Sequence, residues 1–239
     1  MALVSLAEAL SGLVWPAVCA ACGTPGAAVC TACARWYGEA RWCPLPGSAR
    51  PAGVWAACAY GGTAGRLVSA WKEHGRLDLT PHLAAGLTAS VSAALRATGP
   101  PRCAGRVALV PVPTSRAARR RRGADLTADL AGRTARNLRG QGIEAVVVPA
   151  LRLARAVQDQ AGLGAEQRRE NLAGAMRETA AAGGLAAARV LLVDDVVTTG
   201  ATVREATKVL VRAGLQAPEA CCLSVTLRRH GVLPGVVLH

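Results

Sequence analysis

Two adjacent carboxylates, followed by a turn of small hydroxyl residues, are the part of this sequence best suited to chemistry. The stretch from Val190 to Thr202 reads Val-Leu-Leu-Val-Asp-Asp-Val-Val-Thr-Thr-Gly-Ala-Thr. Its apolar start predicts a buried parallel strand over 189–193, and ligands of open α/β sheets collect where such strands end. A helix over 202–213 would follow, and a turn of small residues before a helix lets backbone N–H groups reach a phosphate.

The two adjacent carboxylates limit which ligand groups could bind at this strand end. Asp194 and Asp195 would repel a phosphate in contact with them. They suit sugar hydroxyls, which donate hydrogen bonds, or a Mg²⁺ ion carried by a pyrophosphate. The pattern therefore predicts a ribose 5-phosphate site. The structural alternative is an ordinary strand, turn and helix with Thr202 as the cap, but the acidic pair together with the hydroxyl-rich turn favours the functional interpretation.

Four of the nine cysteines form two closely spaced pairs, Cys19-Ala-Ala-Cys22 and Cys30-Thr-Ala-Cys33. Two intervening residues let both thiolates of a pair face one ion, and four thiolates complete a tetrahedral Zn²⁺ site. The bound ion would also contribute folding free energy to a segment too small for its own core. The alternatives are a redox-active pair, for which no thioredoxin-like unit is visible, or incidental cysteines. Structural zinc is the prediction.

The remaining cysteines and the chain's hydropathy indicate the cytoplasm. An odd number of cysteines argues against a fully paired secreted disulfide framework. The other five are expected to be small buried hydrophobic residues: Cys43, Cys58, Cys103, Cys221 and Cys222. No apolar run is long enough for a membrane span. The first residues resemble a signal peptide but carry Glu8 and no basic start, and their leucines are spaced as in an amphipathic helix.

Arginine dominates the net charge of +13. The densest cluster comprises Arg116 and residues 119–122, directly after a predicted strand and loop. One interpretation is a solvated, mobile loop. The other is contact with an anion, either a pyrophosphate or a nucleic-acid backbone, because basic surfaces attract polyanions. With aromatic residues at 3% of the chain, a base-stacking platform is poorly supported.

Strand and helix signals alternate along most of the chain. Helices are predicted over 64–71, 81–95 and 126–138, and strands over 106–111, 144–148 and 219–226. Residues 149–169 are polar without clear periodicity, which predicts a mobile loop. Buried strands that alternate with helices predict an α/β fold with a mostly parallel sheet.

The motif from Val190 to Thr202 resembles the signature of type I phosphoribosyltransferases. The resemblance implies that Asp194 and Asp195 contact ribose hydroxyls and that residues 198–202 hold the 5-phosphate of 5-phosphoribosyl 1-pyrophosphate (PRPP), with Mg²⁺ accompanying it. The PRPP-binding candidates are Asp194, Asp195, Val196, Val197, Thr198, Thr199, Gly200, Ala201 and Thr202. The stretch 109–116 resembles the strand and pyrophosphate-side loop of the same superfamily.

Several further stretches resemble one branch of that superfamily, the ComF family. They are Tyr60-Gly-Gly with Arg66, Leu67, Trp71-Lys72 and Gly75; Gln158, Leu163, Arg168, Asn171, Leu172, Gly174 and Ala175; and the cysteine pairs. The resemblance implies a module over 1–58, an amino-terminal helix and zinc ribbon, and a phosphoribosyltransferase-type domain over 59–239. It implies pyrophosphate-side candidates Pro113, Thr114, Ser115, Arg116 and Lys72, and flexible-loop candidates Gln158 and Arg168. It also implies a role in natural transformation, with single-stranded DNA and a competence helicase as partners.

One segment departs from the family pattern. Relatives usually have Arg-Gly-Phe-Asn-Gln, where this chain has Arg122-Gly-Ala-Asp-Leu126. An aromatic ring and two amide side chains are missing, so an acceptor that they contact would bind differently or not at all. Two hypotheses follow: a phosphoribosyltransferase whose nucleophile is unknown, or a module that has lost catalysis and senses a ligand or binds single-stranded DNA. A third, a zinc-dependent transcription regulator, lacks a recognition helix.

Overall fold

Eight strands and six helices carry the architecture of the described residues. The computed structural model describes residues 17–45, 53–98, 105–155, 165–186 and 188–226. The strands are β1 (Arg41–Pro44), β2 (Gly53–Ala59), β3 (Val107–Pro111), β4 (Ala145–Val147), β5 (Leu151–Leu153), β6 (Met176–Glu178), β7 (Arg189–Val197) and β8 (Glu219–Val225). The helices are α1 (Gly62–Glu73), α2 (Thr80–Thr98), α3 (Arg116–Arg122), α4 (Leu126–Gly140), α5 (Ala165–Leu172) and α6 (Ala201–Arg212).

One mixed sheet organises these elements. Its strand order is β1-β2-β8-β7-β3-β4, and only the edge strand β1 runs antiparallel to its neighbour. β5 and β6 form a separate antiparallel pair. The predicted α/β class with a mostly parallel sheet is therefore confirmed. Among the described residues, no helix combines the length and apolarity needed to cross a membrane.

Successive side chains of the central strands point to opposite faces of the sheet, so a core forms on each face. In β3, Leu109 joins the core formed with α1, α2 and α4, whereas Ala108 and Val110 join the core formed with α6. All of β3 is buried. Because both faces are covered, the central strands read as continuous apolar runs. The helices thus lie on both sides of the sheet.

The main sheet also includes strands formed by residues that precede residue 59. β1 and most of β2 come from the segment assigned above to the amino-terminal module, and β2 pairs in parallel with β8. No strand is predicted here, because β2 is Gly53-Val-Trp-Ala-Ala-Cys-Ala59 and contains few β-branched residues. The main sheet therefore extends across the boundary at residue 58.

The prediction of a loop over 149–169 is wrong at both ends. β5 begins the segment and α5 closes it, with residues 156–164 outside the described part. Leu151, Leu172 and Met176 anchor these short elements in the α6-side core. Ala150 and Leu151 are buried at one end and Leu172 just beyond the other, and these few apolar positions in an otherwise polar stretch leave no periodicity for sequence analysis to detect.

The arginine cluster forms a short helix and not a loop. The Ser115 side chain accepts a hydrogen bond from the Ala118 N–H group and caps α3, and Gly123 ends it in the left-handed conformation at φ 71°. Alanine and arginine are strong helix formers, so the cap and the terminating glycine suffice to define this helix.

Replacement of Leu109 tests how much the burial of the central strands contributes to stability. Leu109 is fully buried in β3, so Leu109→Ala should lower the free energy of unfolding by about 2–5 kcal/mol through the cavity it leaves. Leu77→Ala is the matched control, because Leu77 is 49% exposed, and should change stability by less than about 0.5 kcal/mol. Urea denaturation followed by circular dichroism measures both; equal losses would contradict the burial pattern.

Candidate functional site: acidic pair, phosphate turn and cysteine cluster

The acidic pair lies within β7, because this strand extends four residues beyond the predicted end at Val193. Consecutive strand residues face opposite sides, and the two carboxylates accordingly have different surroundings. Asp194 Oδ1 accepts the Asp195 N–H at 2.8 Å, and Asp195 Oδ1 accepts the Val196 N–H at 2.6 Å. Both side chains are thus oriented by the backbone of their own strand.

The turn between β7 and α6 is held by Gly200. Its φ of 74° lies in the left-handed region, and a Cβ atom here would come within 2.7 Å of the Leu45 side chain. Gly200 is also the N-cap of α6, which begins at Ala201, so Thr202 is not the cap. The Thr199 hydroxyl accepts the Ala201 N–H at 3.3 Å. A turn that only glycine fits therefore leads into the amino terminus of a twelve-residue helix.

Lys72 joins the acidic pair from α1. Its Nζ lies 2.7 Å from Asp195 Oδ1. Burial alone would lower the pKa of Lys72, but the Coulombic attraction and hydrogen bond of Asp195 outweigh burial and raise the pKa. The ammonium group is therefore charged at neutral pH. The structure thus brings a pyrophosphate-side candidate into direct contact with a carboxylate of the predicted ribose site.

Asp194 is electrostatically the more unusual member of the pair. Burial, reinforced by repulsion from Asp195, raises the pKa of Asp194 to about 8, and the attraction of Lys72 offsets this only in part. At neutral pH the protonated form consequently predominates. A neutral carboxyl group can donate as well as accept a hydrogen bond.

A cavity of about 410 Å³ opens beside these groups, and Asp195, Thr199 and Ala201 are not among the residues that line it. Of the predicted residues, its walls include Lys72, Asp194, Val196, Val197, Thr198, Gly200 and Thr202. Sequence reasoning missed five further lining residues: Tyr60, Val68, Ser69, Glu73 and Val203. Tyr60 belongs to the Tyr-Gly-Gly stretch already noted, and Glu73 is adjacent to Lys72. For Ser69 the sequence carries no signal.

The other pyrophosphate-side candidates lie at the neighbouring strand end. β3 is parallel to β7 with Pro111 opposite Val193, so residues 113–115 follow β3 at the same sheet edge as the acidic pair. Their side chains already have local partners. Thr114 donates to Asp125 Oδ1 at 3.0 Å, and Ser115 caps α3.

Arg116 lines a second cavity, of about 400 Å³, together with Arg119, Arg120, Gly123, Ala124 and Asp125. The segment that departs from the family pattern forms part of this wall. Asp125 caps α4 by accepting the Ala128 N–H at 3.3 Å, and Leu126 is buried in the core. The replacements thus have structural roles. Lys72 and most of the predicted phosphate-turn residues therefore line one cavity, and Arg116 lines the other.

The two flexible-loop candidates come from the segment of chain that follows β5. Arg168 falls within α5, and Gln158 lies outside the described residues. The leucine-spaced helix expected over the first residues also lies outside them, as does Cys103.

The two cysteine pairs converge on one point. One ligand atom from each of Cys19, Cys22, Cys30 and Cys33 lies within 4.8 Å of every other. The Cys22 and Cys30 Sγ atoms are 3.7 Å apart, close to the edge of about 3.8 Å of a tetrahedron with Zn–S bonds of about 2.3 Å. Four thiols in this arrangement are compatible with structural zinc.

Hydrogen bonds prepare part of this cluster to bind a cation. Burial opposes ionisation of Cys19, but hydrogen bonds from the backbone of Cys30, Ala21 and Cys22 lower the pKa of its thiol to about 6. The Thr24 hydroxyl, 3.1 Å from Cys22 Sγ, lowers the pKa of that thiol as well. Thiolates are the form that ligates metal.

The cysteine segment packs against the helices beside the sheet. Cys19, Ala21 and Val29 join the same core as α1 and α2. Two arginines add polar contacts: Arg66 Nε donates to the Ala21 carbonyl at 2.6 Å, and an Arg76 guanidinium N–H donates to the Val18 carbonyl at 3.2 Å. Since Arg66 is on α1, the cluster is anchored to the helix that carries Lys72.

The other described cysteines are mostly core residues, as predicted. Cys43, Cys221 and Cys222 are buried, and Cys58 is half-buried with its thiol donating to the Leu223 carbonyl at 3.6 Å. Burial raises the pKa of Cys43 and Cys58. These thiols are therefore protonated and unreactive at neutral pH.

No protein-family model matches this chain, and no curated protein matches it either. The resemblance to the ComF family accordingly rests on the residues quoted above.

Replacement of Asp194 by Asn should change the pH dependence of stability. Because the native pKa is raised, the native state holds more protons than the unfolded state between about pH 4 and pH 8, so wild-type stability falls across this window by up to about 1.4 kcal/mol per pH unit. Asp194→Asn should remove this fall and be the more stable protein at pH 8. Urea denaturation at pH values from 5 to 8.5 measures the free energy of unfolding of both proteins. If the two free energies change with pH in parallel, the raised pKa of Asp194 is contradicted.

Replacement of Cys22 by Ser tests the cysteine cluster. With three thiols left, bound zinc should fall well below one ion per chain, and the melting temperature should fall because bound metal contributes to folding. Elemental analysis and thermal denaturation measure both quantities. Cys58→Ser removes a thiol outside the cluster and should retain full zinc. Equal zinc content in the two variants would argue against this ligand set.

Proposed function

We propose that this chain binds PRPP in the cavity at the carboxyl end of β7. The single observation that carries the proposal is the convergence there of Lys72, Asp194 and the Gly200 turn in front of α6, with Asp195 bonded to Lys72 behind them. A cavity of about 410 Å³ falls within the usual range for small-molecule sites. The anion-binding helix end and the hydroxyl-binding carboxylates lie at the strand ends where α/β proteins bind nucleotide-like ligands.

Each part of the ligand has a counterpart in this arrangement. The 5-phosphate accepts hydrogen bonds from the N–H and hydroxyl groups of residues 198–202. The ribose hydroxyls pair with Asp194 and Asp195. Because Asp194 is mostly neutral at pH 7, the repulsion that two ionised carboxylates would exert on the phosphates is reduced. The pyrophosphate, with its Mg²⁺, points toward residues 113–116 at the end of β3.

The proposed fold is that of a type I phosphoribosyltransferase with a zinc ribbon formed by the cysteine cluster. Together these features support membership of the ComF family. The proposal then extends to a cytoplasmic role in the uptake of DNA, with single-stranded DNA and a competence helicase as partners. In catalysis a nucleophile would attack C1 of the ribose while pyrophosphate leaves, a reaction that depends on charge stabilisation and orientation.

A second candidate function is a ligand-sensing or DNA-binding module without catalysis. The observation that favours it is the structural use of Asp125 and Leu126, which stand where relatives have amide side chains. The arginine-lined cavity beside α3 offers such a module an anionic partner. Pyrophosphate release from PRPP with panels of nucleobases and amines separates the two functions. Binding of PRPP without release of pyrophosphate, for every acceptor in the panels, supports the module without catalysis.

Calorimetric titration with PRPP and Mg²⁺ tests the binding site. Asp195→Asn removes a charged acceptor and Thr202→Val removes a hydroxyl from the cavity wall, and each should weaken binding by about 10-fold or more. Asp129→Asn is the matched control, since Asp129 is exposed on α4 away from this cavity and its replacement should leave the affinity unchanged. A folded wild-type protein that releases no heat with PRPP, and is not protected by it against thermal unfolding, would refute the proposal.

A further inference from the structure

Lys72 is bonded to one carboxylate oxygen of Asp195. Its Nζ is 2.7 Å from Asp195 Oδ1, and the other contact of that oxygen is the Val196 N–H. The side chains are 22% and 7% exposed, so water screens the ion pair only weakly. Mg²⁺ is usually bound through one or two carboxylates that it can reach with its water shell. Here an ammonium group stands in that position.

The backbone of Lys72 is fixed from the opposite side. Arg122 Nε donates to the Lys72 carbonyl at 3.0 Å, and the same guanidinium group binds Glu73 Oε1 at 2.9 Å. Trp71, the residue before Lys72, is fully buried, and its indole N–H donates to the Thr80 hydroxyl at 3.0 Å. Lys72 therefore projects from a helix end that two neighbours immobilise.

The charges around the acidic pair leave little attraction for a divalent ion. Lys72 neutralises Asp195 by direct contact, and its field also reaches Asp194. Arg122, at the same end of α1, is paired with Glu73, so these two charges offset each other. A free Mg²⁺ ion would have to displace a hydrogen-bonded ammonium group and then remain beside it.

We infer that Lys72 is a tethered counter-cation that takes the place of a divalent ion at Asp194 and Asp195. The acidic pair then binds sugar hydroxyls without metal, and any Mg²⁺ is carried by the pyrophosphate of the ligand alone. Removal of the ammonium group converts the pair into a divalent-cation site. The ligand part of this inference rests on the proposed function, whereas the metal part does not.

Titration of the zinc-loaded, ligand-free protein with Mn²⁺ tests the metal part, with electron paramagnetic resonance to count bound ions. Mn²⁺ replaces Mg²⁺ at oxygen sites and reports its own binding. Wild type should show no Mn²⁺ site that depends on Asp195. Lys72→Met, which keeps most of the length of the side chain, should gain one site at least about tenfold tighter than any site in the wild type. The double variant Lys72→Met, Asp195→Asn should lose it.

The chain supplies a matched control, because Lys208 is its only other lysine and lies exposed on α6. Lys208→Met removes the same charge and should behave as wild type. A wild-type Mn²⁺ site that Asp195→Asn abolishes would overturn the inference without any Lys72 variant. If Lys72→Met does not fold, Lys72→Gln provides the same comparison, and unchanged Mn²⁺ affinity in a folded Lys72 variant would also overturn it.

Ribose 5-phosphate tests the ligand part, because it lacks the pyrophosphate that would carry a metal ion. Its affinity for wild type should be the same, within about twofold, with and without Mg²⁺, whereas Lys72→Met should require Mg²⁺. Metal-dependent binding by wild type would contradict the inference. If neither ribose 5-phosphate nor PRPP binds, the proposed function fails, and the Mn²⁺ titration alone decides whether Lys72 acts as the counter-cation.

Discussion

The burial of β7 between β3 and β8 is the constraint on which the rest of this structure depends. A parallel strand covered on both faces satisfies its backbone only through its neighbours, so its apolar residues fix the register of the whole sheet. Polar side chains become tolerable only where the strand approaches the edge. The acidic pair, the glycine turn and the residues after β3 are therefore gathered at one edge by the same packing that buries Leu191 and Val193.

A chain of contacts connects the cysteine cluster to this edge. Carbonyl groups of the cysteine segment accept hydrogen bonds from Arg66 and Arg76, Arg66 belongs to α1, and the last turn of α1 presents Lys72 to Asp195. Arg122 fixes the same helix end from α3. The position of one ammonium group thus depends on elements far apart in sequence. A bound metal in the cysteine cluster would stabilise the candidate ligand site without contacting it, because it would fix the surface against which α1 packs.

The parts that sequence analysis predicted are those in which local pattern and tertiary environment agree. The helix over 126–138 and the strand over 106–111 lie within a residue or two of α4 and β3, since their apolar spacing alone determines the face that is buried. The cysteine cluster followed from ligand spacing. β1 and β2 were missed because β2 is held by pairing with distant β8 and β1 only by pairing with β2. α5 was missed because its single apolar anchor, Leu172, carries no period. The contact of Lys72 with Asp195 joins residues 123 positions apart, which no local pattern encodes.

The difference between local sequence pattern and tertiary environment also explains the arginine cluster. Five similar residues follow β3, yet burial separates them: Arg122 turns inward to bind the end of α1, whereas Arg116, Arg119 and Arg120 line an open cavity. Composition alone assigns all of them to one class, a surface that attracts anions. Hydrogen bonding to a backbone carbonyl makes Arg122 a structural residue, because its charge is committed to Glu73 and its Nε to Lys72. The positive charge available to an anionic partner therefore resides in the exposed arginines, while Arg122 determines where the counter-cation of the acidic pair is held.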